Sequence, residues 1–124
     1  MTATRLYLLI AALFGVLGLS ALSHGAHASG VMMTTAGQML MFHAPVLIAV
    51  AMARKLGFLS EKAARVGLAA LVLGVLLFAA DLAVRSIAGV RLFPMATPLG
   101  GAIAVLGWIA LGYAALRAPT RAGN

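Results

Sequence analysis

The side chains in this sequence that could do chemistry are few, and five of them fall near the ends of long apolar segments. They are an amide, two imidazoles, a carboxyl and a hydroxyl, at Gln38, His27, His43, Asp81 and Thr97. Imidazole and carboxyl groups can bind metals or exchange protons, and amides and hydroxyls can orient a ligand. These five residues form a candidate polar site. Because no nucleophile–base pair and no pair of acids is recognisable, no catalytic residue is predicted and an enzyme is not expected.

Four apolar segments must position these groups. Apolar residues make up 64% of the 124 residues and the mean hydropathy is +1.11, whereas soluble domains are about 45–50% apolar. Each segment can cross a hydrocarbon core of about 30 Å as a helix, which pairs its own backbone polar groups. We therefore predict an all-α fold, a four-helix transmembrane bundle that forms a single integral membrane domain over residues 1–124. The predicted spans are Leu6–Leu22, Ala36–Ala53, Val66–Val84 and Leu99–Leu116.

The basic residues flank these spans and lie mainly on one side of them. The N-terminal flank, the second connection and the C-terminal tail hold seven of the nine, and Arg85 and Arg91 of the third connection are the other two. This asymmetry predicts that both termini are cytoplasmic. No basic stripe with interleaved aromatic residues is present, so the net charge of +7 indicates contact with the headgroups of the lipid bilayer and not with nucleic acid.

The start of the sequence resembles a secretory signal. Arg5 precedes an apolar run, and Ala26-His27-Ala28 has the small residues of a cleavage site. However, Ala21 and Gly25 are four residues apart, a spacing that lets membrane helices approach closely. We therefore expect the first segment to be retained and to pack against the others.

With this topology the five candidate residues belong to the outer half of the bundle. His43 lies about two turns into the second span, where we expect it to be buried and to bond across helices to Thr97 or His27, with ligand or metal binding as the alternative. Asp81 is followed by Arg85 at i+4, which predicts a local ion pair, with a histidine as the alternative partner. On this basis His43 is expected to matter more to stability than Asp81.

Capping residues predict three helix starts. Thr97 precedes Pro98, Thr35 opens a T-x-x-Q capping box, and Ser60 stands before the third span. Trp108, which lies nearer the middle of the fourth span, is interpreted as a packing residue.

Several short motifs give the chain a resemblance to a known family. They are Gly25–His27, His43-Ala44, the block Thr97–Gly101 and Gly107-Trp108. In these motifs the sequence resembles the YgdD-like small membrane proteins, domain-of-unknown-function family 423, over about Leu6 to Leu116. The resemblance implies a four-helix protein of the bacterial inner membrane without an assigned activity. It places His27, His43 and Thr97, but not Asp81, at motif positions.

Three functions remain open at the level of sequence. The first is a binding or accessory subunit whose partner is another membrane protein or a second copy of the chain. The second is a small proton-coupled transporter, for which Asp81 near the outer end is poorly placed. The third is a metal- or haem-binding protein that uses histidines such as His24 and His27. No metal and no cofactor is predicted.

Overall fold

Four long helices make up nearly all of the computed structural model, which describes residues 1–120 apart from the side chain of Ser29. Each helix is long and apolar enough to cross a membrane, and no strand occurs in the described part of the chain. The predicted all-α, four-helix bundle is therefore confirmed, and each predicted span lies within one helix. The helices are α1 (Ala3–His24), α2 (Gly30–Lys55), α3 (Glu61–Ala88) and α4 (Ala96–Leu116).

The connection between α1 and α2 differs from the prediction. A π-helical turn, Gly25–Ser29, continues α1, and Gly30 then redirects the chain with a φ of 67°. As a result α2 begins at Gly30, so the predicted helix start at Thr35 is wrong. The Thr35 hydroxyl instead donates to the carbonyl of Val31 at 2.9 Å, as hydroxyls inside helices commonly do.

Close backbone contacts join the helices into two hairpins, α1 with α2 and α3 with α4. A Cβ atom on Gly37 would lie 2.9 Å from the Gly18 carbonyl oxygen, and one on Gly74 would lie 2.5 Å from the Ala104 nitrogen. Only glycine allows this approach, which membrane helices use because lipid provides no hydrophobic force between them. The small residues thus serve as the packing surface of each hairpin.

The two hairpins meet where α2 packs against α3, and α1 touches α3 only lightly. The side chains between them are large and aliphatic, and the most completely buried are Leu47, Leu68, Leu71 and Val75. The middle of the bundle is therefore a closed apolar core, and the two buried ionic side chains, Asp81 and Arg54, lie toward its two ends.

The turn between α2 and α3 is short and held by backbone hydrogen bonds. Gly57, with a φ of 81°, donates to the Arg54 carbonyl, and Phe58 donates to the Ala53 carbonyl at 2.9 Å. This is a Schellman motif with glycine in the left-handed position. Ser60 is the N-cap residue of α3, as predicted, and its N–H donates to the carbonyl of Ala114 in α4 at 2.9 Å.

Candidate functional site

The best-defined polar site surrounds Asp81, near the end of α3. Asp81 Oδ1 accepts the N–H of Leu92 at 2.8 Å, and Oδ2 accepts the hydroxyl of Thr97 at 2.5 Å. The residue is only 1% exposed. Both carboxyl oxygens are thus engaged by donors from the α3–α4 connection and the first turn of α4, and together these three residues form the Asp81 cluster.

The local backbone explains how this cluster forms. Gly89 ends α3 with a φ of 72° and donates its N–H to the Arg85 carbonyl. Met95, with a φ of 68°, then starts α4, so the predicted N-cap role of Thr97 is wrong. Thr97 lies inside the first turn, where its hydroxyl is directed to Asp81 instead of to its own helix. Pro98 remains in that turn, where a missing N–H costs little.

The predicted ion pair between Asp81 and Arg85 is also wrong. Within residues 1–120 the two ion pairs are Arg54–Glu61 and Arg65–Glu61, and neither includes Asp81. An i+4 spacing permits a pair on the helix surface, but Asp81 is turned toward α4 and its oxygens are occupied by Leu92 and Thr97. The expectation that His43 matters more to stability than Asp81 rested on this ion pair, and so it loses its basis.

His43 is buried as predicted, at 8% exposure, but its partners are different from those expected. Its Nδ1 lies 2.8 Å from the Met39 carbonyl oxygen, one turn earlier in α2. The indole N–H of Trp108, in α4, donates to its Nε2 at 3.3 Å. These two bonds fit an imidazole protonated at Nδ1 only. Neither Thr97 nor His27 is the partner, and Trp108 has a polar role beyond packing.

The remaining predicted residues lie apart from Asp81. Gln38 is exposed on α2, and His27 is exposed on the π-helical turn, where it borders an open hollow together with His24. Of the five candidates, the structure therefore brings together Asp81 and Thr97. His43 forms a separate contact with Trp108, and His27 and Gln38 join neither.

A second polar cluster lies at the opposite end of the bundle, and the participation of Arg54 and Thr4 in it was not predicted. Arg54 is 8% exposed, and it donates to Glu61 Oε1 at 2.5 Å and to the hydroxyl of Thr4 at 2.9 Å. Arg65 donates to the same carboxyl oxygen at 2.6 Å. These four residues, the Arg54 cluster, join α1, α2 and α3. From the sequence alone, Arg54 would be assigned to the charged loop between two spans. The signal that could have indicated its pairing with Glu61 is that the two residues flank the short α2–α3 turn.

The described histidine and acidic side chains do not gather into a metal site. Within residues 1–120 no group of three histidine, cysteine, aspartate or glutamate side chains is close enough to hold a metal ion. The expectation that no metal or cofactor is bound stays a prediction. Both clusters instead have a structural role, because in each a buried ionic side chain forms hydrogen bonds that join it to a neighbouring helix.

Comparison with known protein families finds a match. The model of the family described as "Protein of unknown function (DUF423)" matches residues 11–101. No curated protein and no solved structure matches the chain. Because the match covers most of the sequence, the chain belongs to this family, and the resemblance noted in its motifs is confirmed.

Proposed function

We propose that this DUF423 protein is an accessory subunit of the bacterial inner membrane that binds another membrane protein within the bilayer. The observation that carries the proposal is that both buried ionic groups, Asp81 and Arg54, are already engaged in holding helices together. The described chain consists almost entirely of spans joined by short turns. We therefore expect such a chain to bind its partner within the membrane.

The same contacts speak against a proton-coupled carrier. Such a carrier needs an ionisable group that can be reached in turn from each side of the membrane. Asp81 is closed off by Thr97 and Leu92, and the core between the two clusters holds fully buried aliphatic side chains such as Leu71. Metal or haem binding through His43 would require the release of Trp108 from its Nε2 atom.

The orientation belongs to the same proposal. The Arg54 cluster and the α2–α3 turn lie at the end of the bundle where α1 begins and α4 ends. In the sequence, seven of the nine basic residues flank the spans on this side. By the positive-inside rule this side faces the cytoplasm. Reporter fusions after Asn124 and near Ser29 test the assignment, and a periplasmic signal from the C-terminal fusion would reverse it.

A pull-down from native membranes tests the partner. Tagged protein, extracted in polymer-bounded bilayer discs at its native level, should retain a membrane protein in a fixed stoichiometric ratio. A tagged small membrane protein of unrelated sequence at the same level is the control. Recovery of this chain with lipid alone, or only with further copies of itself, would overturn the accessory role.

A further inference from the structure

An apolar groove runs along the bundle at the end where Asp81 lies. It exists because α1 and α3 both pack on α2 but touch each other only lightly, and because small side chains face the gap. Its volume is about 460 Å³, within the range of about 300–1,000 Å³ typical of ligand sites. The walls include Ala21 of α1, Ala36 of α2, and Ala79, Ala80 and Ala83 of α3.

The length of the groove corresponds to one leaflet of a bilayer. On α1 it extends from Leu17 to His24, and on α3 from Leu76 to Ile87. At 1.5 Å per residue these stretches are roughly 10 and 16 Å long, against about 15 Å for half of a hydrocarbon core. A partner transmembrane helix would need a surface across both leaflets, whereas an acyl chain occupies one.

The outer mouth of the groove is polar. Ser20 and His24 line both the groove and an adjoining hollow, which is also bordered by Ser23 and His27. Both histidines are exposed. Imidazole N–H groups and the Ser23 hydroxyl can donate hydrogen bonds to phosphate oxygens. The Ser20 hydroxyl already donates to the Val16 carbonyl at 2.8 Å, so it can only accept.

We propose that this groove binds one anionic phospholipid, with an acyl chain between α1 and α3 and the phosphate at His24 and His27. The groove supplies an apolar slot one leaflet deep, and the hollow supplies donors at headgroup level. Arg85 and Arg91, the two basic residues assigned to this side, add positive charge that favours an anionic headgroup. The proposal is independent of the protein partner, because the lipid would bind to a single chain.

Native mass spectrometry with dioleoylphosphatidylglycerol tests the site. The wild-type protein should retain one lipid, and Ala80→Trp, which fills the groove, should lower the retained fraction about fivefold or more. Ala102→Trp is the matched control, because Ala102 is also an exposed alanine but lies on α4. Equal retention by the two variants, or no lipid on the wild type, would overturn the proposal.

Two further measurements keep the test decisive. The double variant His24→Ala/His27→Ala should remove the preference for phosphatidylglycerol over phosphatidylcholine with the same chains, and an unchanged preference would contradict the headgroup assignment. If Ala80→Trp does not fold, a phosphatidylglycerol with a diazirine in its acyl chain is cross-linked to the wild-type protein. Labels should then concentrate in residues 17–24 and 76–87, and an even distribution over all four helices would refute the site.

Discussion

The two ends of the bundle bury charges of opposite sign and bind them through different groups. Asp81 accepts hydrogen bonds from two uncharged donors, the Leu92 amide and the Thr97 hydroxyl. Arg54, at the other end, donates to the carboxylate of Glu61 and to the Thr4 hydroxyl. The anion is thus held by a turn amide and a hydroxyl, whereas the cation is held by acceptors on two other helices.

The clusters also differ in what they join. The Asp81 cluster closes one hairpin, since all its members belong to α3, α4 and their connection. The Arg54 cluster links both hairpins, because Thr4 lies in α1, Arg54 in α2 and Glu61 in α3. Loss of the first should therefore loosen α4 on α3, and loss of the second should loosen one hairpin on the other.

The largest effect is expected from Asp81→Ala. The substitution leaves the Leu92 amide and the Thr97 hydroxyl, which are partly buried, without their acceptor. A fully buried group left unsatisfied costs about 1–3 kcal/mol. We expect a loss of about 3 kcal/mol in the free energy of unfolding, measured by denaturation in detergent micelles. Arg85→Ala is the control and should change little. A larger effect from Arg85→Ala would mean that an ion pair, and not the two donors, stabilises Asp81.

A smaller effect is expected from Glu61→Gln at the Arg54 end. Arg54 keeps Thr4 as a partner and the Glu61 side chain is 52% exposed, so water offsets part of the loss. We expect destabilisation of about 1–2 kcal/mol, which shrinks as salt is added because exposed charges are screened. Lys62→Gln, at an exposed neighbouring position, should have almost no effect. If Asp81→Ala were equally sensitive to salt, the contrast between the ends would fail.

The smallest effect is expected at His43, which belongs to neither end. His43→Phe removes the acceptor of the Trp108 N–H, and an interhelical hydrogen bond in a membrane contributes about 0.6 kcal/mol on average. Trp108 is the only tryptophan, so its fluorescence reports this bond directly. We expect a shift of the emission maximum to shorter wavelength, and no shift in His27→Phe. Identical spectra for His43→Phe and wild type would show that the bond does not form.

The helices were predictable because uninterrupted apolar runs long enough to span a bilayer have few alternatives in lipid. Their ends were less predictable, since polar residues such as Thr35 continue a helix as readily as they cap one. α2 therefore begins at Gly30, ahead of the capping box, where the chain adopts a positive φ.

The candidate site was predicted only in part, because a contact between residues close in sequence was favoured over a more distant one. Asp81 and Thr97 were both identified, but the partner nearest in sequence, Arg85, was preferred to one 16 residues away. The contacts of Arg54 with Thr4 and of His43 with Trp108 span 50 and 65 residues. They depend on how the helices return past one another, which composition and periodicity do not encode.

The order of Thr4, Arg54 and Glu61 along the chain bears on how the protein enters the membrane. Because α1 and α2 precede α3 in the chain, Thr4 and Arg54 are synthesised before the carboxylate of Glu61 is available. A guanidinium without a counter-ion is expected to stay at the headgroups, which would hold the end of α2 near the membrane surface. When Glu61 emerges at the start of α3, it can pair with Arg54 before the rest of the second hairpin has been made. Glu61 would then fix the start of α3 to the first hairpin before α4 is synthesised.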